Sequence, residues 1–378
     1  MPTIQQNFVK VLGTGSFLPG NPVPFDDIDS YLGEITQAPA QVLRWLKRTK
    51  NIMKEILEIE YFHYAIDPQT KERNEDEITM SVKAANRALE AANMRAEDIE
   101  VITYGSPCAL QMPSTSTRIQ EALGIAKCAD LQIHANCTSA YKALLTAHDM
   151  LRCGRYKNAL VVSSTLNSPV FSAGYYNQEI LKVEDVLLRW FLCDGAGAVV
   201  LQACEENKNG LFLDATHMES LGGKKAPVMY NRMPAYFVDY RKVIQEGLHH
   251  VCQLAGNEIV DRVVDDNKVT IFTNGLQRMV QRYSVDLSKL RFFQLNMPTK
   301  HVVEVILGEC NSILGIPKEK LYTRISKMGY PGPPAVFISL DALMREEKLN
   351  HGDVILSFVL EVSKLLVAGF SMSYKEEK

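Results

Sequence analysis

Apolar positions in this chain follow two rhythms that alternate along its length. Between residues 77 and 92, Ile78, Val82, Ala85, Leu89 and Ala92 recur at helical spacing and define one apolar face. After a short polar turn, Ile99 to Tyr104 is an apolar run of strand length, as expected of a strand covered on both faces. Thr115 to Leu123 reads as a helix stopped by Gly124, a residue suited to the left-handed conformation at a helix end. Asp130 to His134 reads as a strand and Ser139 to Arg152 as a helix ending at Gly154. Asn158 to Ser164 and Ala196 to Leu201 are strands again.

The second half keeps the rhythm. Phe237 to Ala255 predicts a helix with Phe237, Tyr240, Ile244, Leu248, Val251 and Ala255 inward. Val269 to Phe272 and Phe292 to Leu295 predict strands, and Thr299 to Leu314 predicts a helix ended by Gly315. Ala335 to Arg345 predicts a helix and Val354 to Leu360 a last long strand. The order helix, Gly154, basic turn, Ala159-Leu160-Val161-Val162 rhymes with helix, Asn350-His351-Gly352-Asp353, Val354-Ile355-Leu356. The chain is therefore read as α/β, in two similar βα halves with mostly parallel strands. The halves are residues 1–205 and 206–378. No Pro/Gly/Ser-rich linker separates them, so they are expected to pack closely. Sites in such sheets form where loops leave the C-terminal ends of strands.

Composition narrows the function classes. The 378 residues are 46% hydrophobic and 22% charged, the balance of a globular protein with a large core. The net charge of -3 offers no broad basic field for nucleic acid. No apolar run is long enough to span a bilayer, and the first seven residues lack the regions of a secretion signal. A cytoplasmic protein is expected. Eight cysteines occur without a C-x-x-C pair, which argues against a structural zinc site and, in that compartment, a disulfide framework. No metal site is expected. Gly13-x-Gly15 lacks the third glycine of a dinucleotide fingerprint. Asp194-Gly195-Ala196-Gly197 lacks the Lys-Ser/Thr of a phosphate loop, so close backbone packing explains its glycines better.

One cysteine differs in its setting. In Leu131-Gln132-Ile133-His134-Ala135-Asn136-Cys137-Thr138-Ser139-Ala140, an apolar strand runs into Cys137 and a helix opens just after it. A thiol there faces unpaired N–H groups and the positive end of a helix, which predicts a lowered pKa and a nucleophilic thiolate. A buried structural cysteine is the competing reading of the same spacing. His134 and His301 are weighed as supporting groups, although each is more simply explained structurally: His134 on a strand, His301 on a helix surface. His249-His250 are read as part of a solvated helix face. Lys224-Lys225 and Arg241-Lys242 are likewise solvated charges by default, with docking of an acidic carrier protein as the alternative.

These segments carry a resemblance. Val11-Leu12-Gly13-Thr14-Gly15-Ser16-Phe17-Leu18-Pro19, Pro113-Ser114, Ala135-Asn136-Cys137-Thr138-Ser139, Asp194-Gly195-Ala196-Gly197-Ala198-Val199-Val200 and Gly352-Asp353-Val354-Ile355-Leu356 resemble, in order and spacing, the β-ketoacyl-acyl carrier protein synthase III family of the thiolase superfamily. Tyr31-Leu32-Gly33 and Tyr64-Ala65-Ile66-Asp67 also resemble the branch that makes dialkylresorcinols and pyrones. The resemblance implies a thiolase fold in a layered α-β-α-β-α arrangement, a dimer, and an acyl group carried on Cys137. It implies no permanently bound cofactor, with a CoA or phosphopantetheine thioester, delivered as acyl-CoA or on an acyl carrier protein, as substrate. It also implies a histidine and an asparagine that stabilise an enolate. By alignment the histidine falls at Phe293 in Phe293-Gln294-Leu295-Asn296, with Asn296 retained. The asparagine falls at Tyr330 in Met328-Gly329-Tyr330-Pro331. A glycine-rich turn expected near the C-terminus is replaced around Ser363-Lys364-Leu365. Standard decarboxylative condensation is therefore not expected of these residues. What remains is an acyltransferase or atypical ketosynthase, or else a catalytically degenerate subunit paired with an active paralogue in a heterodimer.

Overall fold

The computed structural model describes residues 6–107, 111–176, 178–233, 239–265 and 268–377. Ten strands form one sheet. In chain order they are β1 (Phe8–Phe17), β2 (Val101–Ser106), β3 (Ala129–His134), β4 (Asn158–Thr165), β5 (Gly195–Cys204), β6 (Gly210–Ser220), β7 (Leu290–Gln294), β8 (Leu321–Tyr322), β9 (Val354–Glu361) and β10 (Leu366–Lys375). Their spatial order is β8-β7-β9-β10-β6-β1-β5-β4-β2-β3. Within each set of five the order is the same: third, second, fourth, fifth, first. The directions match as well. β2 runs parallel to β3 and β4, as β7 does to β8 and β9, while β5 and β10 run antiparallel to their neighbours. The halves meet where β1 pairs with β6 at only two positions, Lys10 with Phe212 and Val11 with Leu211.

Six helices complete the repeat: α1 (Glu77–Ala91), α2 (Thr115–Ala122) and α3 (Ser139–Arg152) in the first half, and α4 (Ile271–Tyr283), α5 (Lys300–Leu314) and α6 (Ala335–Glu346) in the second. Alternation along the strands sorts their side chains between layers. Val101, Ala159 and Val161 face a central layer with Ala140, Leu144 and Leu151 of α3 and Val336, Leu340 and Leu343 of α6. Ile102, Leu160 and Val162 face outward onto α1. In the second half, Leu356, Phe358 and Val367 face outward onto α4 and α5. The result is the five-layered α-β-α-β-α arrangement of the thiolase fold, with α3 and α6 shared between the two sheet halves.

Three readings of the sequence are corrected. Phe237 to Ala255 is no single helix: Asp239 caps a short helix at Tyr240–Gln245, Gly247 turns the chain at φ 64°, and Val251–Gln253 pairs with Met229–Asn231. Residue 237 lies outside the described residues. Val269 to Phe272 is no strand, because the Thr270 hydroxyl accepts from the Thr273 N–H and starts α4. His249 and His250 are buried rather than solvated; His249 Nε2 lies 2.8 Å from the Tyr175 carbonyl and His250 Nδ1 3.4 Å from Asp185.

Candidate active site

The strands that run parallel in each half deliver their loops to one region. Cys137 follows β3 and precedes α3. Gly105 of β2 lets this junction form, since a Cβ there would lie 2.3 Å from the Ser139 carbonyl oxygen. The first turn of α3 closes through Ser139 N–H to Asn136 O and Lys142 N–H to Thr138 O, both 2.9 Å. Cys137 is half-buried and packs against the central layer.

Tyr330 reaches it from the equivalent junction of the second half, between β8 and α6. Its hydroxyl donates to Cys137 Sγ at 3.4 Å. The backbone behind it is held by a bridge to Leu192 and by the Cys193 N–H, which donates to the Tyr330 carbonyl. Gly329, at φ 74°, makes this approach, and a Cβ there would meet Cys193 Sγ at 2.7 Å. Tyr141, one helical turn beyond Cys137, shares a 2.8 Å hydrogen bond with Ser357 of β9, whose hydroxyl donates to the Gln294 carbonyl of β7.

The thiol is not acidified as the helix position predicts. Burial and the Glu361 carboxylate push it up to about 11, against the Tyr330 hydroxyl and its own backbone N–H, which pull it down. The reason lies at the helix end. The N-terminus of α3 is not left open: the N–H and hydroxyl of Thr138, the residue that caps it, both donate to the Glu361 carboxylate, the N–H at 3.0 Å. A carboxylate thus already occupies the positive pole that would have favoured a thiolate. Burial also raises the Tyr330 and Tyr141 hydroxyls, the latter near Cys137 and the former beside both Cys137 and Glu361.

Phe293 does not face the site. It is fully buried in the outer core with Leu295, while Phe292 lies in the central layer and Gln294 Nε2 donates to the Val336 carbonyl of α6. The next position in that inward series is Asn296, which is 5% exposed and whose amide oxygen and nitrogen both lack a hydrogen-bond partner. Leaving such groups buried and unpaired costs about 1–3 kcal/mol each, so the position suits a polar ligand group. His134 is exposed at the end of β3, and His301 is exposed on the first turn of α5. Asp194 is buried and accepts from the backbone N–H groups of Ala65, Asn167 and Ser168, a loop-fastening role. Gly195 and Gly197 let β5 pack against α6, where a Cβ on Gly197 would lie 2.6 Å from Phe337 Cβ. Sequence reasoning missed Glu361 and Thr138; the only visible signal was a glutamate ending a strongly apolar strand.

Known proteins share this fold. The family model for 3-oxoacyl-[acyl-carrier-protein (ACP)] synthase III matches residues 131–222, a stretch that begins within β3, contains Cys137 and runs just past β6. The β-ketoacyl-[acyl-carrier-protein] synthase III of Hyphomonas neptunium is 24% identical over 356 residues, covering 93% of this chain and 94% of that protein. In fold, the tetronic acid condensing enzyme AbyA1 superposes with a TM-score of 0.77 at 19% identity, covering 97% of this chain and 99% of that one. The 3-oxoacyl-[acyl-carrier-protein] synthase III of Aquifex aeolicus superposes with 0.71 at 21% identity, covering 97% and 100%. With its cysteine at the β3–α3 junction inside the matched stretch, the chain is similar to β-ketoacyl-[acyl-carrier-protein] synthase III over nearly its whole length and has the thiolase fold.

Proposed function

We propose that the chain is an acyltransferase, or atypical ketosynthase, that takes an acyl group from an acyl-CoA or acyl-carrier-protein thioester onto Cys137 and passes it to an acceptor. The observation that carries this reading is the Tyr330 hydroxyl on Cys137 Sγ, at the place where the family resemblance expects an amide. A phenol there donates one hydrogen bond to a sulfur or an oxyanion, which serves thioester exchange. An imidazole–amide pair aimed at an enolate is not what Tyr330 and the inward-facing Asn296 supply, so the acceptor brings its own nucleophile. A dimer, as the family resemblance implies, is part of the same reading.

The test is intact-mass analysis after incubation with a panel of acyl-CoA and acyl-carrier thioesters. An adduct is expected on the native chain and none on Cys137→Ala. No adduct with any donor, on folded protein, overturns the reading. The thiol pushed up to about 11 then favours the second one, a subunit that completes a heterodimer around an active paralogue.

A further inference from the structure

Glu361 ends β9 and is 3% exposed. One carboxylate oxygen accepts from Thr138 N–H and hydroxyl, and the other accepts from the Ser363 hydroxyl at 2.5 Å. All three donors are neutral. None of the ion pairs among the described residues includes Glu361. The ammonium of nearby Lys364 is turned to the Lys225 carbonyl instead. A buried carboxylate without a cation carries a desolvation cost that neutral donors offset only in part. That cost buys no packing that a glutamine or leucine would not supply. It is instead held on Thr138, the residue that follows Cys137, and its charge acts on two groups that hold protons at the reacting sulfur, Cys137 and Tyr330.

We propose that Glu361 is the proton acceptor and donor of acyl loading, acting on Cys137 across the Thr138 hydroxyl. The proposal rests on the reading of Cys137 as an acyl carrier. As Sγ attacks the thioester carbonyl, the S–H proton passes to the Thr138 oxygen while the Thr138 hydroxyl proton passes to Glu361. The tetrahedral adduct then collapses, the carbon–sulfur bond to the CoA or pantetheine thiol breaks, and the same proton returns to that departing sulfur. The products are the Cys137 thioester and a neutral thiol. Nothing is oxidised or reduced, and Glu361 ends as it began. The carboxylate on the helix end therefore has two effects of opposite sign: it disfavours a free thiolate at rest, and it receives the proton in the step that needs one.

Opposite signs make the proposal testable. Two rates are measured on native protein, Glu361→Gln, Thr138→Val and Thr138→Ser, across pH 6 to 9. They are alkylation of Cys137 by iodoacetamide, which needs only thiolate, and acylation by an acyl-CoA that labels the native chain. Glu361→Gln is expected to alkylate as fast as native protein or faster, because the repelling charge is gone. It should acylate about 100-fold more slowly at pH 7, in the range of general acid–base catalysis, and its acylation should rise with pH as free thiolate takes over. Thr138→Val should acylate slowly and Thr138→Ser close to the native rate. If both rates rise in Glu361→Gln, the carboxylate only suppresses the thiolate and the proposal is overturned. If both fall together, Glu361 only holds the α3 junction, and the proposal is overturned equally. A native chain that alkylates but takes no acyl group from any donor removes the acyl-carrier reading itself, a result separate from either of these.

Discussion

At the scale of single residues, the site turns on one hydroxyl. The Tyr330 O–H donates to Cys137 Sγ and stabilises the thiolate more than the thiol, so it lowers the thiol pKa against burial and Glu361, which raise it. Tyr330→Phe is therefore expected to raise the pKa above about 11 and slow alkylation of Cys137 at pH 8 by roughly tenfold, the scale of one hydrogen bond to a charged partner. Stopped labelling followed by mass analysis measures it. An unchanged rate means that the phenol gives the sulfur nothing. Cys137 was legible because a strand, a cysteine and a helix start are all local signals. Phe293, where the resemblance places the family histidine, lies in the outer core, and a side chain changes face with every residue along a strand, so a motif aligned in sequence does not tell which face a position takes. Glu361 was illegible because its meaning comes from Thr138, 223 residues away in sequence.

At the scale of elements, the nucleophile's place depends on how closely β2 and α3 approach. Gly105 faces the Ser139 carbonyl, and the Thr103 hydroxyl donates to the Ala143 carbonyl at 3.0 Å, fastening the same strand to the same helix. Gly105→Ala puts a carbon 2.3 Å from backbone oxygen, which no rotamer change relieves. The strand and helix must part, and a loss of about 1–3 kcal/mol is expected, as for other overpacked cores. The denaturation midpoint reads the loss and Cys137 labelling reads the displaced junction; a variant as stable as the native chain removes Gly105 from this role. Helices such as α1 and α5 were legible from periodicity over four turns. The 237–255 region was not, since its apolar spacing imitated a helix while Gly247, the local stop, carried the decisive conformation. At 269–272 a short apolar run was read as a strand, although it is the capped first turn of a helix; periodicity cannot separate the two over four residues.

At the scale of the whole molecule, the repeat β-α-β-α-β-α-β-β occurs twice, and the sequence showed it only as a rhyme between two helix–turn–strand segments. What the sequence could not show is that the halves share one layer. α3 and α6 lie in a single core with strands from both halves, while the strand pairing that joins them spans only two residue pairs. Neither half covers its own central helix, so neither has a complete core alone, and the site inherits this dependence: Cys137 comes from one half, Tyr330 and Glu361 from the other. Unfolding should then be one transition rather than two. The chain reports on this naturally, because both tryptophans, Trp45 and Trp190, lie in the first half and stack on each other at 5.4 Å between ring centroids. Their fluorescence follows that half, whereas far-ultraviolet circular dichroism follows both. Urea midpoints from the two probes are expected to coincide. A fluorescence midpoint displaced from the dichroism midpoint would mean that the first half keeps its structure without the second, and that the central layer is a contact between two independent cores.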